Sequence, residues 1–390
     1  MEPKKRNRIN EGGSGGAHSL LINAANLHVG GSVQVASSFL VELARLKWGH
    51  DRIGVVASTE VDRQVRAEGV DLSVFSSYTV ADVFGLSRGP ANLRRTLEEA
   101  DVVFTVFGPL YRLKKPRLSI VGFAQPWILY PDNDAYRLLS PFSRISARVK
   151  FWLQTIAFVY CSDTLVVEAE HVADRIVELG LVPRDKVRVI PNTLNGLYLN
   201  PESWKPVEIE SRSAGTMRIG LISRDYPHKN LGILPTVRSI LRDQHGIFAE
   251  FFVTLTPKEW WARSEQFRSS VNNVGPLTAD QCPRFYEQMD AVIFPSLLEC
   301  FSATPLEAMY MGKPLFASDR HFVREVCGDN ALYFDPNSPD DAAHVIARYV
   351  ATGLDPTRIE VARDRVRSFP GARQRAAAYL DEIYRLLNES

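Results

Sequence analysis

From Leu20 onward the chain alternates short apolar runs with longer stretches whose apolar residues recur every three or four positions. The runs Leu20–Ala25, Arg52–Ala57, Asp101–Phe107, Leu118–Phe123, Asp163–Val167 and Val187–Ile190 are strand-sized. Val33–Lys47, Ala91–Glu99 and Ala169–Leu179 carry the helical period between them. Such alternation predicts a parallel sheet covered on both faces, and the near-continuous apolar Val102–Val106 suits a strand buried on both sides. The rhythm lapses at residues 197–216, rich in Pro, Ser and Glu, as an interdomain connection would. It restarts at Met217–Ile222 and continues through Ala249–Thr254, Val271–Gly275, Ala291–Pro295, Pro314–Ala317 and Ala331–Phe334. Ala372–Leu387 closes the chain with one apolar helical stripe. The predicted class is α/β, with two Rossmann-like, doubly wound domains at 20–200 and 215–368 facing a central cleft, and a final helix at 372–390 packing back on the first. In such sheets ligands bind beyond the carboxyl ends of the strands, so the loops after strands carry the interest.

Charge narrows the partners. A net charge of +1 provides no overall field toward nucleic acid, and no nucleic-acid module is recognisable. The four cysteines are far apart and form no Cys-x-x-Cys, which argues against zinc or a disulfide framework and for a reducing cytoplasm. Residues 1–19 are basic and then Gly/Ser-rich, without the apolar centre of a signal peptide, and read as a disordered leader. No apolar run approaches the ~18 residues of a spanning helix.

Three post-strand loops offer chemistry. Glu299 and Glu307 bracket Glu-Cys-Phe-Ser-Ala-Thr-Pro-Leu-Glu, between an apolar strand and an apolar helix expected at Pro305–Met311. Free amides at the helix start hold phosphate and the carboxylates hold hydroxyls, a combination suited to a nucleotide sugar. The spacing alone is weak, since two acids eight apart arise about five times by chance in this composition. Ser223–Leu231 places Arg224 and Lys229 after the first strand of the second half, as a fork and a point charge suited to a diphosphate or as a solvated loop. Gly30-Gly31 precedes a helix, where it serves either a phosphate or a tight turn. Val274-Gly275-Pro276-Leu277 is a turn that exposes backbone to a nucleobase or simply reverses the chain.

Taken together these residues resemble a retaining glycosyltransferase of the family-four type, with the GT-B architecture. The likeness is densest at Ser223-Arg224, Lys229-Asn230, Val274-Gly275, Phe294-Pro295-Ser296, Glu299 to Glu307-Ala308-Met309, Gly312-Lys313-Pro314 and Phe334-Asp335-Pro336, with Gly30-Gly31 and Val189-Ile190-Pro191-Asn192 in the first half. The resemblance implies catalytic roles for Arg224, Lys229 and Glu299. The first two grip the donor diphosphate; Glu299 lies near the donor sugar. Glu307 would take the ribose hydroxyls, and the amides of Cys300, Phe301 and Ser302 the sugar or distal phosphate. Gly31, beside Gly30, approaches from the other domain, and Pro276 or Leu277 borders the base. Two departures stand out. Glu299-Cys300-Phe301-Ser302 replaces a pattern with glycine at its fourth place, and Gln125 stands where relatives carry a histidine, so it can hold a sugar hydroxyl but not shuttle a proton.

Without that base, the implied chemistry is same-face substitution in which the leaving phosphate takes the acceptor proton and the protein supplies orientation and charge. No cofactor or metal is expected; a GDP- or UDP-sugar is the co-substrate, and a saccharide or lipid-linked acceptor the partner, as in bacterial surface polysaccharide, lipopolysaccharide or glycolipid synthesis. Basic residues at 110–117 and Arg137, Arg144, Arg148 and Lys150, interleaved with Phe142, Phe151, Trp152 and Phe158, suit docking at the inner face of the cytoplasmic membrane. The other reading is a core helix near Ile145–Tyr160 with Arg and Lys on its outer face. A nucleotide-sugar epimerase of the same architecture, or a donor-binding subunit without turnover, are the alternative functions.

Overall fold

The computed structural model describes all residues except 1–18, 47–51, 86, 88, 110, 112–114, 354 and 390. The basic leader, and four residues of the basic run 110–117, lie outside the described residues. The first sheet holds β1 (Leu20–Ala24), β2 (Ile53–Ala57), β3 (Ser77–Val80), β4 (Val102–Thr105), β5 (Leu118–Gly122), β6 (Thr164–Val167) and β7 (Val187–Val189). They are parallel, in the order β3-β2-β1-β4-β5-β6-β7. The second holds β8 (Met217–Leu221), β9 (Ala249–Val253), β10 (Val271–Asn273), β11 (Ala291–Phe294), β12 (Leu315–Ser318) and β13 (Leu332–Phe334), also parallel, in the order β10-β9-β8-β11-β12-β13. Every residue of β1, β2, β4 and β6 is buried because helices cover both faces, which is why these strands lack polar alternation. β3 is the exception. It is an edge strand with mostly exposed side chains, and its Ser-Tyr-Thr-Val has no apolar run.

Each sheet has its own core, but the last helix, Ala372–Asn388, belongs to the first one. Ala376, Leu380 and Ile383 sink into it, and Tyr379 meets Phe39 and Phe104 with ring centroids 5.1 Å away in each case. Burying Leu380 and Ile383 contributes about 1.5–3 kcal/mol each. Buried Arg375 donates to Asn192 at the point where the chain crosses between domains.

The two halves also touch through side chains. Helix Glu170–Glu178 has no side-chain cap of its own, and the second domain supplies one. Glu325 accepts from the amides of Glu170 at 2.8 Å and His171 at 3.0 Å, and its carboxylate meets His171 Nδ1 at 2.6 Å. A carboxylate at that helix end is favoured by unpaired N–H groups and by the dipole. A second contact joins Asp134 to Arg320 at 2.7 Å and Asn337 at 3.0 Å. Between them, Trp127, Ala135 and Tyr136 pack on Leu297 and Leu298.

The helix expected near Ile145–Tyr160 spans Pro141–Cys161. Arg148 and Lys150 are exposed on it as expected, but they flank an outward face that is otherwise apolar, so it is not a core helix. Phe142, Ile145, Trp152 and Ile156 are exposed, while Phe158 and Cys161 on the opposite side are buried.

Candidate active site

In both sheets the first strand lies between the next strand in sequence and a later one, β1 between β2 and β4, and β8 between β9 and β11. The chain therefore leaves these strands in opposite directions, and a crevice opens at their carboxyl ends. Gly30 and Gly31 follow β1; Arg224 and Lys229 follow β8; Glu299 to Ser302 follow β11. Gly30, Gly31, Arg224, Lys229 and Glu299 to Ser302 thus lie at the two switch points, whereas Gln125 follows β5 and Pro276 and Leu277 follow the edge strand β10.

The loop after β8 is held from several sides. Arg224 Nε donates to Glu259 at 2.8 Å, and the amide of Asp225 reaches the same oxygen at 3.2 Å. Glu259 is fixed in turn by a capping box with Thr256. Burial works to raise the pKa of Glu259, but hydrogen bonds from Thr256, Arg224 and Asp225 outweigh it and pull the value down to about 2. Asp225 pairs with Arg263. Asn230, the one non-glycine residue with positive φ (56°) among the described residues, ends the turn and donates to the carbonyl of Pro336 at 2.8 Å. Asparagine tolerates that left-handed geometry better than most side chains.

Lys229 and Glu299 meet directly. Their Nζ and Oε1 lie 2.5 Å apart, and Ser296 Oγ donates to the same carboxylate oxygen at 3.0 Å. Lys229 Nζ also sits 5.7 Å from the centre of the Phe294 ring. Glu299 lies four residues before helix Ala303–Tyr310, whose cap residue Ser302 makes no side-chain cap bond, leaving the amides of Ala303 and Thr304 free, while Pro305 has none to offer. Cys300 is buried among first-domain residues such as Phe123 and Leu129, so this loop spans the seam; burial keeps its thiol protonated. Phe301 and Ser302 are half-buried beside it.

Glu307 lies one turn into that helix and is buried. Tyr286 donates its hydroxyl to Glu307 Oε2 at 2.9 Å, with the unbonded Tyr198 hydroxyl close by. Burial raises the Glu307 pKa, opposed by the tyrosine hydroxyls. Its carboxylate therefore already has a phenolic partner, and a ribose hydroxyl would have to share or replace it. Pro276 is exposed and Leu277 half-buried on the turn after β10.

On the first domain, Gly30 has φ 72° and precedes helix Gly31–Arg45 with no side-chain cap bond. A Cβ on either glycine meets nothing within 4 Å, so room is left at this helix start and only Gly30 needs glycine for its backbone. Gln125 donates from Nε2 to Gln154 at 3.2 Å, and Gln154 donates to the Tyr111 hydroxyl at 2.9 Å. The side chain is thereby oriented from behind. His228 stacks on Tyr226 (5.6 Å) and lies edge-on to Trp127 (6.0 Å). Burial lowers its pKa.

Glu259 and Tyr286 do not appear among the residues expected from sequence, and Ser296 appears there only within Phe294-Pro295-Ser296, without a role. The Thr256-Pro-Lys-Glu259 capping pattern was there to be read, but its grip on Arg224 is a long-range contact. One group of three possible metal ligands occurs among the described residues, His171, His321 and Glu325, carried by helices Glu170–Glu178 and His321–Cys327.

The architecture is that of a two-domain GT-B protein, and known proteins share it. Residues 256–362, which include Glu299 and Glu307, match the family described as Glycosyl transferases group 1. The O-antigen chain mannosyltransferase RfbU of Salmonella typhimurium is 23% identical over 184 residues, covering 45% of this chain and 48% of the relative, so the match spans about half of that protein. Among solved structures, a glycosyltransferase from Rickettsia africae superposes with TM-score 0.66 at 15% identity over 96% of this chain and all of that one. The Anabaena protein HepE in complex with UDP and glucose superposes with TM-score 0.66 at 16% identity over 94% and 100%. At these identities the likeness establishes the fold.

Proposed function

We propose that this protein transfers a hexosyl unit from a nucleoside-diphosphate sugar to a saccharide or lipid-linked acceptor, with retention of anomeric configuration and without a metal ion. The observation that carries the reading is the Lys229–Glu299 pair, with Glu299 just before an uncapped helix. A diphosphate seated on the free amides of that helix would lie beside Lys229 and Arg224, releasing Lys229 from Glu299 to the phosphate. Glu299 would then face the sugar, where it holds a hydroxyl or supports positive charge at the anomeric carbon. Cations fixed before the reaction stabilise the departing diphosphate without reorganisation. Gln125, held by Gln154, orients a hydroxyl but takes no proton, which leaves the diphosphate oxygen as the acceptor's base. GDP- and UDP-sugars are the donors to try first, given a mannosyltransferase relative and a UDP-bound structural neighbour. The proposed setting is bacterial surface polysaccharide or glycolipid synthesis at the cytoplasmic face of the membrane.

The test is incubation with GDP-mannose or UDP-glucose, with and without acceptor glycans or lipid-linked saccharides, followed by NMR of the product linkage. Acceptor-dependent release of nucleoside diphosphate with a retained anomeric centre is expected. An epimeric nucleotide sugar formed without acceptor would assign an epimerase instead, and nucleotide binding with no turnover would assign a donor-binding subunit.

A further inference from the structure

Helix Pro141–Cys161 carries apolar residues on both of its sides, yet only one side is covered. Phe142, Ile145, Val149, Trp152, Ile156 and Val159 recur at steps of three and four, which at 3.6 residues per turn confines them to an arc of about 100°. All six are exposed, Phe142 at 83% and Trp152 at 64%. No helix of the described residues is long and apolar enough to cross a membrane. A stripe of this size on a single surface helix marks an interaction face. Its borders say what it faces. Arg148 and Lys150 stand on opposite flanks, and residues 141–161 contain no acid. Asp132 lies 3.6 Å from Arg148, but Arg144 and Lys150 leave the helix net positive, so paired copies would bring like net charge together whereas an anionic surface complements it. Trp152 and Tyr160 add ring systems that favour the boundary between headgroup and acyl chain.

We propose that this stripe seats the protein on an anionic lipid surface, and that the acceptor is an amphiphile delivered from that surface to the cleft. The second half of the statement rests on the transferase reading above; the first does not. The link between surface and cleft is the inner side of the same helix. Phe151 stacks on Trp127 with centroids 5.5 Å apart and planes at 9°, and Trp127 packs on Leu297 and Leu298 of the loop leading to Glu299. Gln154, three residues from Phe151, holds Gln125. Seating depth on the lipid therefore fixes the height of Gln125 and of the acceptor entrance.

The test is flotation of the full chain with phosphatidylcholine vesicles, with and without phosphatidylglycerol, for the native protein and for Ile145→Glu, Trp152→Glu and Ile156→Glu. These side chains are exposed, so the variants should fold and keep the native thermal shift with UDP or GDP. The native protein should float with the anionic vesicles only, and each substitution should lower vesicle affinity at least about tenfold. Failure of the native protein to float, or flotation unaffected by all three substitutions, overturns docking. A dimer in light scattering that the same substitutions dissolve, without flotation, would assign the stripe to a second copy. Flotation combined with turnover on water-soluble acceptors that is indifferent to vesicles would keep the docking and remove the amphiphilic acceptor. Flotation with no nucleotide response would leave docking standing and the transferase reading fallen.

Discussion

The loop after the first strand differs sharply between the two sheets. After β1 the chain offers backbone and space: two glycines, no side-chain cap, and nothing within 4 Å of where a Cβ would be. After β8 it offers charge held in place: Arg224 on Glu259, Asp225 on Arg263, Lys229 on Glu299, and a left-handed Asn230 tied to Pro336. The same position in the same fold is thus a close-approach surface in one domain and a prearranged cation cluster in the other. Group-transfer chemistry needs both, because a cation fixed in advance stabilises charge at least cost, while the opposing lobe must come near without collision. On the proposed reading these ion pairs are placeholders: Glu259 and Glu299 would keep the cations ordered until a diphosphate replaces part of their company.

The sharpest way to break this contrast is Lys229→Ala, which should lower turnover by about 10²–10³, in line with loss of one preorganised charge donor. Glu299→Ala should depress turnover more than nucleotide affinity, and equal losses in kcat and binding would remove Glu299 from the sugar. Arg224→Ala follows, with nucleotide affinity falling roughly 10–100-fold as a charged hydrogen-bond donor is lost. Titration calorimetry reads both effects, and Glu259→Gln should reproduce a weakened version by loosening the arginine. On the first-domain side, Gly30→Ala should cost about 1–2 kcal/mol in denaturant unfolding because its φ is left-handed. Gly31→Ala should leave stability unchanged and weaken only donor binding. Equal unfolding penalties for the two would contradict the division of labour drawn between them.

The smallest expected effect is a pH signature at the domain crossing. Burial, opposed by Arg375, raises the pKa of Glu168 from 4.5 to about 7. An acid whose folded pKa is raised contributes stability that is full below its ordinary value and is lost as pH rises through the folded one. The melting temperature should therefore fall between pH 5 and pH 8 more steeply in the native protein than in Glu168→Gln. Glu259 has the opposite sign: its depressed pKa contributes stability above its ordinary value of 4.5, lost as pH falls through about 2.

Much of the fold was legible because parallel strands buried on both faces read as unbroken apolar runs. β1, β4 and β11 begin and end within two residues of where their runs suggested. β3 was missed for the converse reason, being an exposed edge with no apolar signal. At the site, local context picked out Arg224, Lys229 and Glu299, since post-strand placement is a property of nearby sequence. What no local pattern carries is the partnership across 35 residues between Arg224 and Glu259, or across 21 between Tyr286 and Glu307. Likewise, Phe142 to Val159 carries a stripe visible in sequence, but which of the helix's two apolar sides is covered depends on where β5 and the loop at Trp127 lie.

The central claim is that the cations after β8 and the free amides at the start of helix Ala303–Tyr310 form one diphosphate site. Thermal unfolding with UDP and GDP, compared between the native protein and the Arg224→Ala/Lys229→Ala double variant, tests it most directly. Nucleotide at 100 times its Kd should stabilise the native protein by about 2.7 kcal/mol, and the double variant should show almost no shift at that concentration. An equal shift in both proteins would place the nucleotide elsewhere and contradict the account.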